Sequence, residues 1–289
     1  MTDREIKHVV VTRFNLAIRF GCTKREDSTV PHQRPWLDID YLDKRFDIFE
    51  RYTFLAMKQQ TEMNYEWLVL FHKETPERYR QKIREYQNEL STFTPLYFDD
   101  EQCMNLGGAL RDYLEEKYRE YDMITTRLDN DDYVHPQFIE HIQNDLMSLK
   151  QEENIILSYE NGIQYDIRSR DVLRYDYWKN HFISLLDVSG QKKHVLNYNH
   201  DAIDEAEIQV IRKKTEFPLW VEIITDSNYS NFERWTFGAP FISCKVTKWY
   251  PEFLYKWDTP TGYAFYVGSA VIKMFMSKTV NFCKLILHH

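Results

Sequence analysis

The stretch Asp122-Met123-Ile124-Thr125-Thr126-Arg127-Leu128-Asp129-Asn130-Asp131-Asp132 decides the fold. It begins as an apolar, β-branched run and ends in three carboxylates within four residues. A run bounded in this way predicts a buried strand whose end emerges into solvent. Carboxylates packed at a strand end repel one another, so a positive partner is expected to offset them. A hard divalent cation with oxygen ligands, Mn²⁺ or Mg²⁺ shared with a phosphate, is the usual partner.

Working outward, the preceding residues alternate strand and helix. His8 to Asn15 reads as a first strand, Leu42 to Gln60 as an amphipathic helix, and Tyr65 to Phe71 as a second strand. A helix follows, with Thr75 as N-cap and Pro76 at its first position. Thr94 to Phe98 is a short third strand, Asn105-Leu106-Gly107-Gly108 a turn, and Ala109 to Glu120 a third helix. The quoted stretch is then the fourth strand, and Pro136 to Leu149 a helix. Four alternations predict a mostly parallel sheet with helices on both faces. Ligands of such sheets bind beyond the carboxyl ends of the strands. Thr12-Arg13, His72 and Asp129 to Asp132 all fall at such ends, so they are expected to share one cleft.

The second half differs. Ile155 to Tyr165 reads as a β-hairpin turning at Asn161-Gly162. Lys193 to Tyr198 and Phe217 to Thr225 are strand candidates, and Ala202 to Val210 is short and acidic. Residues 228–260 carry Trp235, Trp249 and Trp257, each readable as a core aromatic or as a platform for a sugar ring. The segment 261–289 holds Lys273, Lys278 and Lys284 and no acid. Such a basic amphipathic helix either packs on its domain or touches a membrane surface. The expected division is therefore 1–150, an α/β half ending in the Asp-x-Asp motif; 151–260, a second half of the same domain; and 261–289, the basic tail.

Bulk properties narrow the function. The net charge of −8 argues against a nucleic-acid binder. The four cysteines, Cys22, Cys103, Cys244 and Cys283, lie far apart with no metal-type spacing, which favours reduced thiols. Met1-Thr2-Asp3-Arg4-Glu5 is charged with no apolar signal region behind it, and no apolar run of about 18 residues occurs. The expectation is a cytoplasmic protein, with peripheral contact at the inner membrane face left open.

Three chemistries compete for the acidic strand end. An EF-hand loop needs Gly at its sixth position; counted from Asp129, Val134 stands there, and a strand precedes instead of a helix. An aspartyl-nucleophile phosphohydrolase also places Asp-x-Asp after a strand, though normally the first. A sugar-nucleotide glycosyltransferase uses Asp-x-Asp to hold Mn²⁺ or Mg²⁺ against a diphosphate leaving group. A non-catalytic sugar- or membrane-binding protein on the same fold is a further alternative.

Several blocks resemble the bacterial rhamnosyltransferase family. They are Val11-Thr12-Arg13-Phe14-Asn15, Arg45 to Tyr52, Gln60-Thr61, Trp67 to Leu70 and Thr126 to Asp132, then Asn180 to Leu185 and Pro218 to Val221. Gly107 to Arg111 is also similar to a segment that precedes Asp-x-Asp in related transferases. The resemblance implies a GT-A (Rossmann-like) fold and a nucleoside-diphosphate sugar donor, dTDP-rhamnose or a UDP-sugar. It further implies a divalent metal and a saccharide or lipid-linked saccharide acceptor in cell-surface polysaccharide synthesis. By the same resemblance Asp129 faces the ribose or the metal's water shell, and Asp131 and Asp132 ligate the metal. Thr12, Arg13 and Arg111 then meet the nucleoside or phosphates, while Arg13 and Arg111 are equally readable as structural charges. His194 or His200 is the expected downstream metal contact. An acceptor base, needed if the anomeric centre inverts, is sought among Asp204, Glu205, Asp226 and His200, each also readable as a surface group. The family places a His near Ile224-Thr225-Asp226, where this chain has Asp226.

Overall fold

A computed structural model describes residues 4–18, 34–149, 153–225 and the backbone of 239–240. Asp226, Trp235, Trp249, Trp257, Cys22, Cys244, Cys283 and the tail 261–289 lie outside the described residues.

The parallel sheet forms from β1 (Ile6–Arg13), β2 (Glu66–His72), β3 (Phe93–Phe98) and β4 (Asp122–Arg127). β1 lies between β2 and β4, and β3 pairs on β2, all in parallel. Side chains alternate across this sheet with the strand period of two. Val10, Trp67, Val69, Phe71 and Ile124 enter one core. Val9, Val11, Leu68, Leu70 and Met123 enter the other. Both faces are therefore apolar, and helices cover both, as the continuous hydrophobic strands require.

On the first face lie α1 (Ile39–Ile48), a π-helical stretch (Phe49–Phe54) running into α2 (Leu55–Lys58), α3 (Glu77–Glu89) and, later, α6 (Phe138–Met147). On the second lie α4 (Asp100–Met104) and α5 (Leu106–Tyr118). Asp38 caps α1 by accepting from Tyr41 N, and Asp99 forms a capping box with Gln102 at α4. α3 starts one residue later than expected: Pro76 occupies the cap position, and the Thr75 hydroxyl donates instead to His72 O. Gly107 and Gly108 are helical, in the first turn of α5, where a turn was expected.

The second half completes the first sheet. β6 (Ile155–Tyr159), β9 (Ser184–Asp187) and β10 (Gln209–Lys213) extend it, giving the order β10-β6-β9-β4-β1-β2-β3. β9 runs antiparallel between β4 and β6. A second sheet contains β5 (Tyr133–Val134), β7 (Asn161–Asp166), β8 (Asp171–Asp176), β11 (Trp220–Ile224) and β12 (Ala239–Pro240).

Two expectations for this half are corrected. Asn161-Gly162 is not a turn: β6 runs on through Glu160 into β7 and passes from the first sheet to the second. Glu160 N still donates to Lys213 O on β10, while Glu160 O accepts from Tyr177 N beyond β8. Gly162 is present because Trp220 covers it; an added Cβ would meet the indole at 2.2 Å. The hairpin comes one strand later, between β7 and β8, with Arg170 at φ 59°. Lys193–Tyr198 is likewise no strand but a 3₁₀ turn at Val195–Asn197, closed by Asn197 Oδ1 on His194 N.

Candidate metal and donor site

The loop after β4 is pinned before it carries any chemistry. Leu128 is fully buried, and its N–H donates to Val11 O at 3.1 Å. Asn130 Nδ2 donates to Arg13 O and Phe14 O at 2.9 and 3.0 Å, which ties the loop to the end of β1. Arg45, on α1, reaches the same loop and donates to Asn130 Oδ1 at 3.0 Å and Asp131 Oδ2 at 2.7 Å. Asp131 is consequently drawn onto Arg45, while Asp129 and Asp132 each keep an oxygen within reach of His181.

Asp129 receives both Arg127 Nε at 3.0 Å and Nη2 at 2.7 Å, a two-pronged pairing, and lies 3.6 Å from Arg13 Nη2. Burial opposes its charge, but Arg127, Arg13 and His181 hold it well below the usual carboxylate range. Asp132 is fully buried; its Oδ1 accepts from Ile223 N at 2.9 Å and its Oδ2 from His181 Nε2 at 2.6 Å. Burial pushes Asp132 up to about 7 against the pull of His181. Burial works against the imidazolium too, yet the charge and hydrogen bond of Asp132 carry His181 up to about 9.

His181 reaches this point through the antiparallel register. Thr126 lies opposite Ser184 on β9, Arg127 N still donates to Ile183 O at 3.0 Å just beyond β9, and the chains that follow bring Asp129 and Asp132 to His181. One ligand atom each from Asp129, Asp132 and His181 fall within 4.8 Å of one another. Two carboxylate oxygens and an imidazole nitrogen, with a proton where a cation can sit, form a donor set that fits a divalent ion. The imidazole shifts preference toward Mn²⁺ over Mg²⁺.

The expected site residues are placed as follows. Asp129 and Asp132 share this group, whereas the Asp131 carboxylate is turned onto Arg45 and is not in it. His200 stands beside the group, its ring 5.8 Å from His181 and its Nδ1 2.8 Å from Lys179 O. Arg13 lies at the site through Asp129. Thr12 is buried, and its hydroxyl accepts from Trp67 Nε1 at 2.8 Å, so it faces the core below the cleft. Arg111 is exposed on α5 and paired with Asp112. Asp204 is exposed and bonded to Lys179 at 2.6 Å, and Glu205 is exposed. His194 is buried with its Nε2 on Gly107 O. The charge balance also differs from expectation: Arg13, Arg45 and Arg127 already offset the acidic strand end. Sequence reading passed over Arg45 and His181 as site residues. Arg45 sits 86 residues from Asp131 and His181 sits 49 from Asp132, and no local spacing announces either.

An open α/β sheet with a pinned acidic loop and arginines at its carboxyl edge is the architecture of a GT-A-type sugar-nucleotide transferase. The chain belongs to the family described as "Putative rhamnosyl transferase", whose profile matches residues 7–235. No curated protein matches it. Among solved structures it is similar to residues 1–349 of S. aureus TarS, at 10% identity and TM-score 0.37, over 75% of this chain. The chain spans 60% of the length of that structure. The same protein in complex with UDP gives 11% identity and TM-score 0.38, over 76% of this chain and 61% of that one. The 4-diphosphocytidyl-2C-methyl-D-erythritol synthase of Anaerococcus prevotii gives 10% and 0.34, over 72% of this chain and 87% of that one.

Proposed function

We propose that the protein is a metal-dependent transferase that moves a sugar from a nucleoside-diphosphate sugar, dTDP-rhamnose or a UDP-sugar, to a saccharide or lipid-linked saccharide. The product would belong to a cell-surface polysaccharide. The observation that carries this reading is the Asp129, Asp132 and His181 group at the carboxyl edge of the sheet, with Arg13 and Arg127 against it. These three residues would hold Mn²⁺ or Mg²⁺. When bound, the ion supplies Lewis-acid neutralisation of charge on a diphosphate leaving group.

The chain's own residues do the rest. Arg127 and Arg13 present guanidinium groups suited to phosphate oxygens, and Asp129 keeps both aimed at one point. Asn130 and Arg45 hold the loop so that Asp129 and Asp132 need not reorganise when a donor arrives. Asp131 acts in this scheme as the anchor for Arg45. A site already balanced in charge suits a ligand that arrives as cation and diphosphate together, because the two nearly cancel.

Titration calorimetry with dTDP and UDP, with and without Mn²⁺, tests the reading, together with nucleoside diphosphate release from a panel of nucleotide sugars. Binding that requires Mn²⁺ is expected. Binding indifferent to metal removes the cation from the scheme, and phosphate release from simple phosphoesters would favour a hydrolase. Among the described residues no helix is long and apolar enough to cross a membrane.

A further inference from the structure

The strand that holds Asp132 also carries a carboxylate that the site described above does not use. Ile223 N donates to Asp132 Oδ1, and the residue one peptide bond before it is Glu222. Glu222 is buried, 6% exposed, on β11. Its register partner is Gln164 on β7, and Gln164 Nε2 donates to Glu222 Oε2 at 2.5 Å. No hydrogen bond to Glu222 Oε1 is found among the described residues. A buried carboxylate with one oxygen fixed by a neutral amide and the other unclaimed is oriented but not neutralised.

Its direction follows from the strand period. Trp220 and Glu222 lie two residues apart and therefore on the same face of the second sheet. Trp220 stacks on Phe182 at 5.0 Å, and the Phe182 ring lies 4.3 Å from that of His181. Val221 and Ile223, one place out of phase, point to the opposite face, and Tyr165 is the register partner of Ile223. Glu222 thus lies on the face of the second sheet that Trp220 shares with the His181-Phe182 segment, one residue before the amide that binds Asp132. Of the acids singled out in the sequence, Asp204 is tied to Lys179, Glu205 is exposed, and Asp226 lies outside the described residues.

We infer that Glu222 is the general base for the acceptor, with Gln164 as its positioning residue. The inference rests on the transferase reading given above. In the step it serves, the acceptor hydroxyl oxygen forms a bond to the anomeric carbon of the donor as the bond from that carbon to the diphosphate oxygen breaks. The electron pair leaves with the nucleoside diphosphate, and the hydroxyl proton passes to Glu222 Oε1. Water can replace the acceptor in the same step, so slow donor hydrolysis reports on the base even when the acceptor is unidentified.

The test uses the full chain with Mn²⁺ and dTDP-rhamnose or UDP-sugars, and follows nucleoside diphosphate release into water. Glu222→Gln keeps the shape and the bond from Gln164. It is expected to lower release at least 100-fold, within the range general bases supply, while Mn²⁺-dependent affinity for dTDP or UDP stays within threefold. Glu222→Asp should fall between the two. Release within threefold of wild type, or loss of nucleoside diphosphate binding together with release, overturns the assignment. Wild-type protein that neither binds nucleoside diphosphate nor releases it from any donor overturns the transferase reading itself, and the base with it.

Discussion

Gly162→Ala is expected to be among the most damaging single-methyl changes in this chain, and its effect should reach the metal site. A Cβ built on Gly162 would lie 2.2 Å from Trp220 Cε2 and 2.3 Å from Cδ2 and Cε3. Ordinary carbon–carbon contact needs about 3.5 to 4.0 Å, so the indole must retreat by more than about 1 Å. It has little freedom to do so. Trp220 is fully buried, its Nε1 donates to Tyr159 O at 2.8 Å, Phe182 stacks on it, and Tyr175 meets it edge-on. Overpacking a filled core costs about 1–3 kcal/mol. Stretching or losing the buried N–H bond adds about 1–3 kcal/mol. A loss of about 2–6 kcal/mol follows, read as a shift of the urea midpoint at unchanged slope. The displacement passes through Phe182 to His181, so affinity for Mn²⁺ should also fall. Trp220→Leu removes the obstacle at its own cost, and the two changes should be strongly non-additive, with a coupling above about 1 kcal/mol. Gly162→Ala within about 0.5 kcal/mol of wild type, or strict additivity in the cycle, would refute the close-approach argument and reopen a turn at Asn161-Gly162.

Three further outcomes follow from the site and the core. Asp132→Asn and His181→Ala should each weaken Mn²⁺ binding at least tenfold by calorimetry, whereas Asp131→Asn should change it less than threefold; the reverse order would move the cation to Asp131. Arg45→Met leaves the Asp131 charge buried and unpaired and should cost about 3–5 kcal/mol in urea unfolding, with most of it recovered in Arg45→Met/Asp131→Leu; equal losses in the single and double variants would count against the pair. Burial, with a smaller contribution from Lys7, depresses His8 to about 3. Its Nδ1 must accept from the donor-only Gln143 Nε2 while Nε2 faces Thr126 Oγ1. This stabilising contribution is fully present above the unfolded-state pKa near 6.5 and is lost as pH falls toward 3, so about 2 kcal/mol should disappear between pH 7 and 5. His8→Gln should flatten the stability–pH curve by that amount, and an unchanged slope would place the titration elsewhere.

How far the sequence could be read follows from the range of each interaction. The first-sheet strands β1 to β4 were legible because each is a short apolar run flanked by helical periodicity, and both signals are local. The position of Asp129 to Asp132 at the carboxyl edge followed from the same pattern. What the acids do there was not legible, because their partners come from elsewhere in the chain: Arg45 from α1, His181 from the segment before β9, the Ile223 amide from β11. Repulsion among three carboxylates was reason to expect a cation. The arginines supply much of that compensation, Arg45 at Asp131 and Arg127 with Arg13 at Asp129, while Asp132 is left to His181, and it is there, with Asp129, that the donor group forms. The Asn-Gly pair misled for a related reason. Turn propensity is a local preference, and at Gly162 it is overruled by Trp220, whose ring needs the space a side chain would fill. The same contact links the two sheets to the site. Gly162 admits Trp220, Trp220 supports Phe182, and Phe182 sets the ring of His181 against Asp132. A glycine chosen for packing thereby helps determine where the cation ligands meet.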